Sequence, residues 1–176
     1  MDKSIIPECY ADTLLIETLV PTKKGYNHQH NCFKVEATMK GLNSFAVGII
    51  DKDKKQIKYI DKFDLIDKVE GDLILWRHED KKIHHWIIQI CPALERWLLN
   101  VCEQENIEVS NFGEDALNGI KFYTKSTSRL NNPILQSLFN EINKRNENLS
   151  VRKLKGWVKL LKEKNYQVDI NELRNA

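Results

Sequence analysis

Three acidic side chains with suggestive neighbours could do chemistry in this chain: Glu8, Asp51 and Asp53. Each follows a short apolar run, Ile5-Ile6-Pro7 before Glu8 and Phe45-Ala46-Val47-Gly48-Ile49-Ile50 before Asp51. In an open parallel sheet, functional groups gather beyond the carboxyl ends of the strands, so parallel neighbours would bring these carboxylates to one edge. Alternate residues of an extended segment point the same way, which lets Asp51 and Asp53 share one ion. Like charges so placed raise each other's pKa, and a divalent cation removes that penalty. Magnesium (or manganese) suits hard oxygen ligands and retains room for water and phosphate oxygens. Lys52, Lys54 and Lys55 beside the pair offer charge to a phosphate.

The elements that must position these groups follow from the pattern. Residues 4–7 read as a short strand and residues 12–20 as a helix with Leu14, Leu15, Thr18 and Leu19 on one face. Residues 32–40 read as a second helix stopped by Gly41. Residues 45–50 are continuously apolar, as a strand covered on both faces tends to be. Residues 73–78 and 83–90 flank a polar turn and predict a hairpin. Pro92 predicts a helix start running to about residue 104, with Glu95 in its first turn. Asp61, Asp64 and Asp67 recur every three residues and read as the solvated face of a short helix. Asn132 and Ser150 are expected N-caps of two C-terminal helices, the second carrying a Val151, Leu154, Val158, Leu161 stripe. The expected class is α/β: a small parallel sheet flanked by helices, with an added hairpin and a helical extension.

Here the motifs resemble a known family. Glu8-Cys9-Tyr10-Ala11-Asp12, after a strand and opening a helix, is similar to the E-G-x-x-D motif of Toprim domains, and Asp51-Lys52-Asp53 resembles their D-x-D. The family includes type IA and type II topoisomerases, bacterial primases, the ribonuclease that matures 5S ribosomal RNA, and the overcoming-lysogenization-defect nucleases. The resemblance spans roughly residues 3–90. It implies magnesium-dependent phosphoryl transfer, with Asp51 and Asp53 as metal ligands and Glu8 as general acid/base or second-metal ligand. By the same resemblance Asp12 orients the site, and Glu95, in a Pro-x-x-Glu helix start, adds a metal ligand. Cys9 replaces the motif glycine and Pro7 precedes the Glu. Lys54 and Lys55 follow the D-x-D where primases and the ribosomal-RNA maturase carry glycine, which points to the compact stand-alone nucleases.

Composition agrees with a folded chain and adds a charge asymmetry. The sequence has 176 residues, 41% hydrophobic and 30% charged, enough for a core without staples and with no apolar run long enough to span a membrane. Residues 1–120 hold 15 Lys and Arg against 20 Asp and Glu, and residues 121–176 hold 12 against 5. An acidic catalytic domain over 1–120 and a basic helical extension over 121–176 are expected. Arg152, Lys153, Lys155 and Lys159, with Lys55, would follow a nucleic-acid backbone.

Cys9, Cys32, Cys91 and Cys102 form no C-x-x-C pair, and their spacing with His28 and His30 fits no common zinc pattern. Reduced thiols and a charged N-terminus predict a cytoplasmic protein. The expected activity is hydrolysis of DNA or RNA phosphodiesters, by analogy in phage defence, a mobile element or RNA processing. The alternative is a non-catalytic Toprim-like subunit that binds nucleotide or nucleic acid within a larger complex. A protein partner or a homodimer is compatible with either.

Overall fold

A computed structural model describes residues 1–52, 57–113, 132–145 and 147–176. Its centre is a five-stranded mixed sheet in the order β1-β2-β5-β4-β3. The strands are β1 (Ile5–Pro7), β2 (Ala46–Asp51), β3 (Phe63–Val69), β4 (Leu73–His78) and β5 (His85–Ile90). β1, β2 and β5 are parallel, with Pro7 opposite Ile49 and Asp51 opposite Ile90. β4 runs antiparallel to both β5 and β3. The hairpin is therefore not an addition to a parallel sheet, because its second strand is the third member of the parallel set.

β1 is an edge strand, which is why it accepts a proline. Its residues alternate between the β2 side, where the Glu8 amide donates to Ile49 O, and the outer side, where Pro7 O accepts from the Gln29 amide. The missing N–H of Pro7 falls on the outer side and breaks no ladder bond.

Helices cover both faces of the sheet. On one face lies α2 (Cys32–Gly41), capped by Asn31, whose side chain accepts from the Lys34 amide at 3.0 Å. It packs through Val35 and Met39 over Ala46, Ile50 and Ile87. Gly48 permits the close approach: a Cβ there would stand 2.7 Å from Met39 Sδ and 2.9 Å from a Val35 methyl. A 3-10 turn, Lys58–Lys62, completes this side.

On the other face α1 (Tyr10–Leu19) and α3 (Leu94–Gln104) meet α4 (Pro133–Arg145), α5 (Leu149–Lys164) and the short α6 (Ile170–Arg174). Val47, Ile49, Trp86 and Ile88 of the sheet share one core with Leu138, Phe139, Trp157 and Leu161 of the C-terminal helices. Polar bonds fix the join: Asn143 donates to Thr18 O at 3.2 Å and the Trp97 indole to Ser150 Oγ at 3.2 Å.

Two local expectations are corrected. Residues 63–69 form a strand, not a helix, so Asp64 and Asp67 lie on β3. The cap of α5 is Asn148, whose Oδ1 accepts from the Ser150 and Val151 amides at 2.9 and 3.1 Å. Asn132 caps α4 as expected, accepting from the Ile134 and Leu135 amides at 3.0 Å. Among the described residues no helix is long and apolar enough to cross a membrane.

Candidate carboxylate site at the strand ends

Glu8 ends the β1 run and Asp51 closes β2, so the parallel pairing brings them side by side. Glu8 Oε2 accepts from the Asp51 amide at 3.1 Å. Asp51 Oδ1 in turn accepts from the Leu94 amide at 3.0 Å, at the N-terminus of α3. That end of the helix carries partial positive charge and an unpaired N–H, and both favour a carboxylate. One strand end is thereby clamped to a helix 43 residues later.

Cys9, in the glycine position of the motif, is the N-cap of α1. Its φ of −135° is extended backbone open to any residue, so no glycine is required. Its Sγ accepts from the Asp12 amide at 3.4 Å, and its own amide donates to Asp12 Oδ2 at 3.0 Å, completing a capping box. Burial, with the nearby Asp12 charge, pushes the Cys9 thiol far above the ordinary range. It is a structural cap and not a nucleophile.

Asp12 is 1% exposed, and its second oxygen, Oδ1, is buried without a hydrogen-bond partner. Burial and the charge of Glu8 push its carboxyl up to about 7. Burial, then Asp12 and Glu8, push Asp51 up to about 9, against the opposing Leu94 amide. Glu95, half-buried in the first turn of α3, adds repulsion to both. Glu8 and Glu95 thus both act on Asp12 and Asp51 at the carboxyl edge of β1 and β2.

Lys52 is exposed just past β2, with its amide bonded to Ile90 O. Asp53, Lys54 and Lys55 lie outside the described residues. Among the described residues no three His, Cys, Asp or Glu side chains are grouped so as to hold a metal ion.

The basic helix α5 divides. Arg152 and Lys159 are exposed. Lys153 instead pairs with Asp67 of β3 at 2.8 Å and donates to Arg174 O, and Lys155 donates to Asn143 at 2.9 Å. The physical reason is β3, whose Asp67 faces α5 and neutralises a lysine that periodicity alone left in solvent.

A ring cluster follows Glu8 that no motif in the sequence marks. Tyr10 stacks on His28 with centroids 3.8 Å apart, and His30 meets His28 edge-on at 4.8 Å. The Gln29 amide ties this loop to Pro7 O at 2.9 Å. The available signal was an aromatic residue two places after the motif acid. Comparison of the chain with protein-family models, with curated proteins and with solved structures finds no match.

Proposed function

We propose that this protein is a magnesium-dependent nuclease of the Toprim-like kind, hydrolysing phosphodiesters at the Glu8–Asp51 edge. The observation that carries the reading is the convergence of Glu8 and Glu95 on Asp12 and Asp51, whose carboxyls they push up, together with an Asp12 oxygen buried without a partner. A fold that keeps a buried Asp12 beside three half-buried acids gains from a bound cation what it loses to their repulsion.

The donor set fits magnesium in kind, being hard carboxylate oxygen throughout. Asp51, Glu8 and Glu95 would hold the ion, with Asp53 as the further ligand that the motif implies. Magnesium, when bound, supplies charge that draws a phosphate oxygen and eases deprotonation of water.

The chain's own groups do the rest. The Leu94 amide holds Asp51, and the Asp51 amide holds Glu8, so the two acids are positioned by backbone. Glu8 is assigned to take the proton from attacking water. Asp12 positions the Glu8 segment through the Cys9 amide. Lys52 is assigned to the substrate phosphate, and Arg152 and Lys159 to the more distant backbone.

A second reading, a non-catalytic nucleic-acid-binding subunit, is favoured by one observation: the described acids do not by themselves enclose an ion. One experiment separates the two. Linear and supercoiled DNA and a long RNA are incubated with purified protein in magnesium or manganese. The nuclease reading expects cleavage that Asp51→Asn and Glu8→Gln each reduce at least about 100-fold. Unchanged cleavage in both variants refutes it. Binding without cleavage, retained in Asp51→Asn, establishes the second reading.

A further inference from the structure

The opposite end of the sheet carries a cavity of about 610 Å³, between the ends of α2 and β4 and the starts of β2 and β5. The five steps of β2 from Ala46 to Asp51 put about 16 Å between it and the carboxylate edge. Its size is that of a small-molecule site.

Its floor is a fixed polar cluster. His78 and His85 are 5% and 4% exposed. His85 Nε2 lies 3.2 Å from Leu42 O, an acceptor only, so Nε2 carries the proton and Nδ1 accepts from the Tyr59 hydroxyl at 2.8 Å. Tyr59 therefore spends its proton on His85 and presents lone pairs. His78 Nδ1 accepts from the Asp80 amide at 3.1 Å, which leaves Nε2–H as a donor with no partner among the described residues. A ring N–H donor and a phenolic acceptor thus belong to residues that line one cavity.

The surroundings are aromatic and cationic. Tyr59 and His78 have centroids 5.5 Å apart. Tyr166 stands at the rim, 55% exposed, with its hydroxyl accepting from the Phe45 amide at 2.9 Å and its ring edge-on to His84 at 4.7 Å. Lys40, which also pairs with Glu36, has its ammonium 4.8 Å from the Tyr59 centroid, and Lys62 and Lys82 line the same cavity. Of the two acids there, Asp80 is engaged by the Lys82 amide at 2.9 Å, and Glu79 is exposed.

We propose that this cavity binds a mononucleotide, with its base against Tyr59, His78 and Tyr166 and its phosphate toward Lys40, Lys62 and Lys82. A nucleobase supplies both a planar face and paired donor and acceptor edges, which match a single N–H donor beside a single phenolic acceptor. The phosphate matches the lysines. The site is independent of the carboxylate edge and of any reaction there.

The test is calorimetric titration of 5′-AMP into the full chain in excess EDTA, with adenosine and inorganic phosphate as separate arms. Saturable binding is expected with a dissociation constant of about 1 mM or tighter. Tyr166→Ala and Lys62→Glu alter exposed residues and preserve the fold, and each is expected to weaken binding at least about tenfold. Asp51→Asn is expected to leave it unchanged, and adenosine and phosphate alone to bind more weakly than 5′-AMP. No saturation by about 10 mM, or wild-type affinity in both cavity variants, overturns the proposal. So does loss of binding in Asp51→Asn, or phosphate binding as tightly as 5′-AMP.

Discussion

Replacing Asp51 by Asn in metal-free protein is predicted to stabilise the fold, increasingly so as pH rises. The magnitude follows from the carboxyl corner. Asp51 ordinarily ionises near 3.8, and burial with Asp12 and Glu8 nearby pushes it up to about 9. Between these values the folded chain binds one proton that the unfolded chain has released. Stability then falls with rising pH, starting at the unfolded value and levelling off above the folded one. One proton corresponds to about 1.4 kcal/mol per pH unit, so up to about 4 kcal/mol is lost from pH 5 to pH 8. Asp12, pushed up to about 7, adds to the loss over the lower part of that range. His28 and His85, whose burial lowers their pKa values, act oppositely, gaining stability as pH rises toward 6.5. Comparing wild type with Asp51→Asn cancels the histidine contribution. Asparagine keeps an oxygen to accept from Leu94 and removes the charge. Urea unfolding in EDTA at pH 5, 6, 7 and 8 measures the effect, with a constant denaturant slope as the control. The wild type is expected to lose up to about 4 kcal/mol more than the variant across the series. Parallel pH profiles for the two proteins would show that Asp51 is not the group that binds the proton.

Other perturbations have separate outcomes. Arg152→Glu with Lys159→Glu is expected to lower the salt dependence of nucleic-acid affinity by about 2 in the log–log slope, read by fluorescence anisotropy. Lys153→Ala is expected to lower stability by about 1 kcal/mol through the lost Asp67 and Arg174 contacts, read by urea unfolding. Gly48→Ala should destabilise by about 1–3 kcal/mol, because Met39 and Val35 must move aside, seen as a lowered Tm. Cys9→Ser should retain stability to within about 0.5 kcal/mol while Cys9→Ala loses about 1 kcal/mol of the cap.

The strands and helices around the site were legible because their signals are local. A continuous apolar run announced β2, a polar turn between β-rich segments announced the hairpin, and Asn132 announced α4. β3 was hidden by its own irregularity. Its register shifts between Leu65 and Asp67, so the alternation that marks a strand is broken and three acids fall at helical spacing. Asn148 was passed over for Ser150 because both are good caps two residues apart, and only the backbone geometry chooses. At the site, the acids themselves were legible and their restraints were not. The bonds from Leu94 to Asp51 and from Asp51 to Glu8 join residues 43 apart and involve backbone amides, which carry no sequence signature. The Tyr59–His85 bond was hidden similarly, since nothing in the sequence pairs a tyrosine with a histidine 26 residues later.

Glu8 and Asp51 are proposed to share a divalent cation. Anomalous diffraction from crystals soaked in manganese measures this. A peak is expected within about 2.0–2.6 Å of carboxylate oxygens of Asp51 and Glu8, lost in Asp51→Asn. A protein saturated with manganese whose peaks all lie elsewhere would contradict it.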